Sequence, residues 1–282
     1  FSNMVSCFKY LVCNSGNPFN NWRCTFTQSQ IKNNRMNKHL VSFIFLSAFT
    51  LNLFAGGPDC TIPNSSFKVG ESITYKVMYN WNSLWLSAGE VNFSVEQSTF
   101  NNRACYHVTG FGETYKSYDW FYKVRDKYES YIDQETMQPL KFIRDVNEGG
   151  FTIYNNVTFK HDQGKAISTN GTFTVPNCIQ DVLSAIYYAR NIDFTKYKVN
   201  DTIPVTLFLD DAIWPVYIRY LGKEQMTTKL GTFNCIKFRP LLIKGTLFEG
   251  GEKMTVWVAD DKNKVPVRVE SPIVVGSIKA DM

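Results

Sequence analysis

The chain has 282 residues, of which 44% are hydrophobic and 15% aromatic, and its formal net charge is +5. This composition excludes an intrinsically disordered protein, because such chains contain few apolar and aromatic residues. The first 55 residues hold five Lys or Arg and no acidic residue, which leaves 25 charges of each sign in the rest. A neutral body argues against nucleic-acid binding, which depends on clustered Lys and Arg.

The basic N-terminal region contains the pattern of a secretion signal. Met36 and Lys38 precede an apolar run that ends at Ala55, and this run is too short for a typical membrane span. We therefore expect an upstream segment translated from a wrong start (1–35), a signal peptide (36–55) and a single exported β-rich domain (56–282). A genuine long leader is the alternative for the first part. The expected location is the periplasm or the outer envelope, with no transmembrane span in the mature protein.

The exported part is predicted to consist mostly of β-strands. Apolar and polar residues alternate with a period of two in most of its length, which is typical of strands with one buried face. The predicted strands include 72–80, 91–95, 151–159, 203–209, 216–220, 233–238, 254–258 and 265–269. Short turns such as Gly149-Gly150 and Asp210-Asp211 separate successive strands, which is the antiparallel pattern.

One segment, from Asn177 to Asn191, has the period of an amphipathic helix. Asn177 could cap this helix, and Gln180 lies three residues later, as in a weak capping box. The apolar stripe is formed by Ile179, Val182, Leu183 and Ile186. A single stripe needs a surface to cover, so we predict a mainly β fold. The expected architecture is a curved antiparallel sheet or half-open β-barrel, with this one main helix packed on its concave face.

Four cysteines lie in the exported part, which permits two disulfides in three connectivities. We expect a bridge between Cys60, in a loose N-terminal tail, and Cys178, at the predicted helix start. Cys105 and Cys235 would then stay reduced or pair with each other. The alternative for Cys178 is a reactive thiolate, since the positive end of a helix lowers a thiol pKa.

Catalytic and metal-binding patterns are absent from the sequence. His107 and His161 have no partner at metal-ligand spacing, and no nucleophile elbow, phosphate loop or dinucleotide motif occurs. No cofactor is expected. Asp210-Asp211 and Asp260-Asp261 are best explained as turn residues.

Acidic and basic residues alternate between Arg125 and Asp133, which indicates cross-strand ion pairs on a solvated face. Two groups of side chains could border an apolar ligand: aromatic residues of the strands and the helix stripe. The candidate ligand-binding residues are Trp81, Trp85, Trp120, Tyr122, Leu183 and Ile186.

Five segments resemble an exported family, common in Bacteroidetes, that is known as domain of unknown function 3108. They are 67–75 (FKVGESITY), 118–126 (YDWFYKVRD), 180–185 (QDVLSA), 251–258 (GEKMTVWV) and 265–270 (VPVRVE). The resemblance covers nearly all of the exported part and implies no activity and no catalytic residues.

A weaker similarity links 257–260 (WVAD) and 265–268 (VPVR) to a strand–turn–strand of periplasmic lipoprotein carriers, whose curved sheets hold acyl chains. This fold analogy favours a non-enzymatic envelope protein that binds a lipid or other apolar ligand. A structural module that docks envelope proteins is the second hypothesis. A hydrolase acting on envelope material is the third, and carboxylates converging in a cleft would favour it.

Overall fold

Fifteen strands and one α-helix make up the part of the chain described by the computed structural model, namely residues 60–81, 84–120, 122–243, 250–273 and 276–282. The expectations for the upstream segment and the signal peptide lie outside these residues. The first eight strands are β1 (Ser72–Trp81), β2 (Leu84–Phe100), β3 (Arg103–Thr114), β4 (Val124–Asp133), β5 (Pro139–Glu148), β6 (Phe151–Lys160), β7 (Lys165–Ser168) and β8 (Gly171–Thr174). After β9 (Ile179–Gln180) and helix α1 (Val182–Ala189) come β10 (Thr202–Leu209), β11 (Ala212–Thr228), β12 (Gly231–Pro240), β13 (Thr255–Ala259), β14 (Pro266–Pro272) and β15 (Ser277–Asp281).

All strands belong to one sheet, built from two meanders that meet in its middle. The order is β8-β7-β6-β5-β4-β3-β2-β1-β15-β14-β13-β12-β11-β10-β9. Every pairing is antiparallel except the short parallel pairing of β9 with β10. The first and last strands, β1 and β15, are therefore neighbours, while β8 and β9 are consecutive in the chain but occupy opposite edges.

The predicted strands are confirmed, and so is the mainly β class with one helix. Alternating apolar residues form these strands because one face of the sheet is buried along most of its length. At the predicted turn, Asp210 and Asp211 both have positive φ, 52° and 58°. That conformation is typical of the two-residue hairpin turn that matches strand twist.

The sheet is open but strongly curved, so that its two edges approach each other. Phe142 and Phe159, from β5 and β6, share a buried cluster with Ile179 of β9 and Phe208 of β10. The rings of Phe159 and Phe208 meet edge to face at 6.1 Å between centroids. The two edges are held by side chains, since β8 and β9 are not hydrogen-bonded neighbours.

The helix is shorter than predicted and begins later. Asp181 caps α1 by accepting from the Ser184 N–H, and the Ser184 hydroxyl accepts from the Asp181 N–H, so the capping box uses neither Asn177 nor Gln180. Cys178 has a φ of 62°, a left-handed conformation that a helix cannot contain. The prediction that Cys178 starts the helix is therefore wrong, and Ile179 belongs to β9.

The helix face that packs on the sheet also differs from the predicted stripe. Leu183 is buried as predicted, with Tyr187 one turn later, against apolar residues of β2, β3 and β4. Ala185 and Tyr188 contact the cluster formed by β10–β13. Ile186 is exposed, because the buried face of the helix is formed by Leu183, Ser184 and Tyr187. One short helix thus packs between both halves of the curved sheet.

Two long-range links hold the N-terminal segment against this core. Cys60 and Cys178 form a disulfide across 118 residues, as predicted, while Cys105 and Cys235 are free and buried. Arg190, directly after α1, is almost fully buried and pairs with both carboxylate oxygens of Glu71, at 2.5 and 2.9 Å.

The antiparallel order places alternate connections at opposite ends of the sheet. We call "open end" the end with the connections β1–β2, β3–β4, β5–β6, β7–β8, β10–β11, β12–β13 and β14–β15. We call the other end the "helix end", because Arg190, directly after α1, contacts the β13–β14 turn there. Its guanidinium donates two hydrogen bonds to the Asn263 carbonyl, at 3.0 and 3.1 Å. Across the described ranges, no helix is both long and apolar enough to cross a membrane.

Candidate functional site

The inner face of the sheet, which we define as the face that contacts α1, begins with a fully buried row next to the helix. Strand register aligns five side chains across β2–β6 in this row: Val95, Val108, Ser130, Phe142 and Val157. Each of them is at most 2% exposed. The Ser130 hydroxyl donates to Asp181 at 2.6 Å, which ties the row to the helix N-terminus.

The next rows toward the open end become progressively more exposed and more polar. The second row is Phe93, Gly110, Tyr128, Arg144 and Asn155, and the third is Val91, Gly112, Asp126, Val146 and Ile153. Phe93 and Tyr128 are half-buried in the second row, and of the third only Val146 is buried. In the fourth row, Val124 and Glu148 are half-buried and Phe151 is exposed. The inner face is therefore accessible from the open end.

A polar cluster lies within these accessible rows, and we define it as Asp126, Arg144, Glu148, Asn155 and Asp210. The Asp126 and Glu148 carboxyls are close enough to interact directly, and Asp126 also accepts from the Asn147 N–H at 3.1 Å. Arg144 forms an ion pair with Asp210, in the β10–β11 turn, across the two edges of the sheet. Two neighbouring carboxyls can share one proton.

The electrostatics of the cluster favour that shared proton near neutral pH. Burial, together with the charge of Asp126, raises the pKa of Glu148 to about 7. Burial also raises the pKa of Asp126. Ionising the second carboxyl is unfavourable because the two negative charges would repel each other, so the two carboxyls titrate as a pair.

Two atoms of the cluster have unused hydrogen-bonding capacity. Arg144 and Asn155 are each only 7% exposed, and they lie directly opposite each other on β5 and β6. Arg144 Nε, a donor, and Asn155 Oδ1, an acceptor, have no hydrogen-bond partner among the described residues. Buried polar groups are normally paired, so this donor and acceptor are suited to a polar group of a ligand.

Tyr122 is the predicted ligand-binding residue that lies closest to this cluster. Its ring packs over the β5–β6 turn, since a Cβ on Gly149 would come within 2.5 Å of it. Burial, followed by the charges of Glu148 and Asp126, raises the pKa of Tyr122 to about 12. The phenol therefore remains a neutral hydrogen-bonding group beside the carboxyl pair.

The other predicted ligand-binding residues are not brought together. Trp85 and Trp120 are exposed at the open end, whereas Leu183 and Ile186 lie on the helix. The side chain of Trp81 lies outside the described part of the structure. The aromatic residues and the helix stripe thus border different parts of the molecule.

The polar cluster itself was missed by the sequence analysis, although one signal was present. Asn155 occupies the apolar phase of β6, between Ile153 and Val157, which marks a polar residue on the inner face. Asp126 was predicted on a solvated face, and this is wrong, because it faces inward. The prediction holds for Arg125, which pairs with Glu113 of β3 on the outer face, whereas Lys127 pairs with Glu129 of its own strand.

A separate cleft lies at the helix end beside the disulfide. Its volume is about 190 Å³, and it is lined by Cys60, Gln138, His161, Gly164, Val175, Pro176, Asn177 and Cys178. Burial lowers the pKa of His161, whose Nε2 donates to the Pro139 carbonyl at 2.7 Å. This ring is therefore neutral and held in place. No group of three or more potential metal ligands occurs in the described ranges.

Comparisons with known proteins identify a family and a fold. A family model described as "Protein of unknown function (DUF3108)" matches residues 74–282. The chain is similar in fold to a beta-barrel-like protein of domain of unknown function DUF1849 from Brucella abortus, known from a crystal structure. The TM-score is 0.51 at 10% identity, over 74% of this chain and 94% of that chain. No curated protein matches.

Proposed function

Because the chain belongs to the DUF3108 family, whose description assigns no activity, we propose a function from the inner face of its sheet. The protein is an exported, non-enzymatic binding protein of the cell envelope that holds a lipid or other apolar ligand against this face. The observation that supports the proposal is the graded exposure of the inner face. It changes from a sealed apolar row under the helix to accessible rows at the open end.

The side chains of the accessible rows suit a ligand with an apolar body and a polar group. Val91, Phe93 and Ile153 supply apolar surface that is only partly covered. The unpartnered donor of Arg144 and acceptor of Asn155 would bind a group that can both accept and donate, such as a hydroxyl or an amide.

Gly112 on β3 leaves room for this ligand between the larger residues of β2 and β4. The space beside Gly110 is instead filled by Phe93 and Leu183, which would lie 3.1 and 3.4 Å from a Cβ there. A Cβ at Gly112 would make only an ordinary contact of 3.4 Å with Val91. A larger side chain at this position would extend over the accessible rows without a backbone clash.

The test is recovery of the ligand from purified protein, by mass spectrometry of organic extracts. Gly112→Trp should fill the accessible rows and abolish recovery of a ligand that the parent protein yields. Phe111→Trp places the same ring on the outer face of β3 and should leave recovery unchanged. Absence of ligand from the parent, or equal recovery from Gly112→Trp, would contradict the proposal.

The converging carboxyls favour a hydrolase as the second candidate function. Two carboxyls that share one proton can activate a water molecule, as in aspartic proteases. Asp126→Asn would abolish hydrolysis of envelope peptides if this candidate is correct. Asp145→Asn, on the outer face of β5, is the matched control.

A further inference from the structure

Exposed tryptophans are concentrated at the open end of the sheet. Four tryptophan side chains lie in the described residues, and only Trp257 is buried, at 7% exposure. Trp85, Trp120 and Trp214 are exposed by 38%, 81% and 38%. Tryptophan is highly buried on average, so three exposed rings in one region require an explanation.

The three rings lie in or next to three different connections, all at the open end of the sheet. Trp85 follows the β1–β2 connection, Trp120 lies in the β3–β4 connection, and Trp214 follows the β10–β11 turn. Further exposed apolar residues occur beside them. We call the whole set the aromatic rim: Leu84, Trp85, Leu86, Trp120, Phe151, Ile213 and Trp214. At the helix end, the exposed large apolar residues are the aliphatic Val69, Val199 and Leu230.

The charges near the rim are biased toward the positive sign. The described acidic residues in the connections of the open end all have an internal partner. Arg125, Arg144 and Arg219 form ion pairs with Asp119, Asp210 and Glu252, and Asp211 accepts from the neutral amide of Asn170. By contrast, Lys116 and Lys123 flank Trp120, are exposed, and form no ion pair within the described ranges. Lys279 Nζ lies 4.4 Å from the centroid of the Trp85 ring.

We propose that the aromatic rim docks on a lipid bilayer that contains anionic headgroups. Tryptophan is enriched at membrane interfaces, where its ring lies at headgroup level and its N–H stays hydrated. Lysines beside such rings add electrostatic attraction to anionic lipids. Together the rings and the lysines match both the apolar boundary and the charge of that surface.

Docking through the rim would turn the accessible rows of the inner face toward the bilayer. The rim residues lie in or beside the connections at the open end, and the accessible rows are the part of the inner face nearest that end. A ligand leaving the membrane would thus reach the inner face without crossing bulk water. Membrane docking extends the proposed binding function, but it requires only the exposed rim and not a bound ligand.

The test is partition of the full exported chain onto vesicles, measured by flotation and by tryptophan fluorescence. We expect binding to vesicles of phosphatidylglycerol and phosphatidylcholine, and weaker binding to phosphatidylcholine alone or at high salt. Trp85→Ser/Trp120→Ser should weaken partition by about tenfold or more, which corresponds to about 1.4 kcal/mol. Val199→Ser/Leu230→Ser, at the helix end, should bind like the parent.

Charge reversal and oligomeric state complete the design. Lys116→Glu/Lys123→Glu should reduce binding to the anionic vesicles and leave binding to neutral vesicles unchanged. The proposal would be overturned if the parent bound neither kind of vesicle, or if the rim variants bound vesicles as well as the parent does. It would also be overturned if the parent bound no vesicles but formed a dimer that the rim substitutions dissociate, since a second copy of the chain would then cover the rim. Ligand recovery is measured on protein that has met no vesicles, so the two proposals can fail separately.

Discussion

Replacing Glu148 by Gln should change how the stability of the protein depends on pH. In the folded protein, burial beside Asp126 raises the pKa of Glu148 from its ordinary 4.5 to about 7. The folded state therefore holds this proton more tightly than the unfolded chain does. The stability that it contributes is complete below pH 4.5 and is lost as the pH rises through about 7.

The size of the effect follows from the two pKa values. The difference between 4.5 and about 7 corresponds to about 3 kcal/mol, at 1.36 kcal/mol per pH unit. Glu148 is only half-buried, so solvent screening reduces the expected value to about 1–2 kcal/mol. Glu148→Gln has no proton to lose, and its amide can still donate to the Asp126 carboxylate.

Urea unfolding of the parent and the variant at pH 5 and pH 8.5 is the appropriate assay. Glu148→Gln should gain about 1–2 kcal/mol relative to the parent between these two pH values. Titration of His161 cancels in this difference because both proteins contain it. Glu135→Gln, on the exposed β4–β5 turn, is the control and should follow the parent. Parallel stability curves for parent and Glu148→Gln would refute the shared-proton assignment.

Two further predictions concern packing and covalent linkage. Leu183→Ala should lower the free energy of unfolding by about 2–5 kcal/mol through cavity formation, and Ile186→Ala by less than about 1 kcal/mol, since its side chain is exposed; equal losses in urea unfolding would show that the packed face of α1 is misassigned. Removing the Cys60–Cys178 bridge by Cys60→Ala/Cys178→Ala should cost about 2–5 kcal/mol, because it closes a loop of 118 residues. The parent treated with a reductant should unfold at the same urea concentration as this double variant, and an unchanged midpoint in both would contradict the prediction.

The strands could be predicted because their signal is local. A sheet with one buried face requires an apolar residue at every second position, and this pattern is visible in a single segment. The helix start could not be placed in this way. Asn177 and Gln180 resemble a cap in sequence, but the left-handed backbone of Cys178 prevents a helix from passing through it. That conformation accompanies a bridge to a residue far away in the chain, which local periodicity does not contain.

The polar cluster depends on strand register, which the sequence alone did not define. Asp126 and Glu148 lie on adjacent strands, and Asp210 approaches Arg144 only because the sheet is curved. Composition and spacing would assign each of these residues to a solvated face. Only Asn155, which takes the place of an apolar residue in the alternating pattern of β6, indicated that a polar group points inward.

The pairing of β1 with β15 has a consequence for how the chain folds. Each meander consists of hairpins between neighbouring segments, which can form early, but the centre of the sheet joins Lys76 to Asp281. A ribosome-bound chain therefore carries two unsatisfied strand edges, on β1 and β14, until β15 has emerged. Such edges are templates for aggregation, so loss of β15 by a nonsense mutation or by proteolysis should yield insoluble protein.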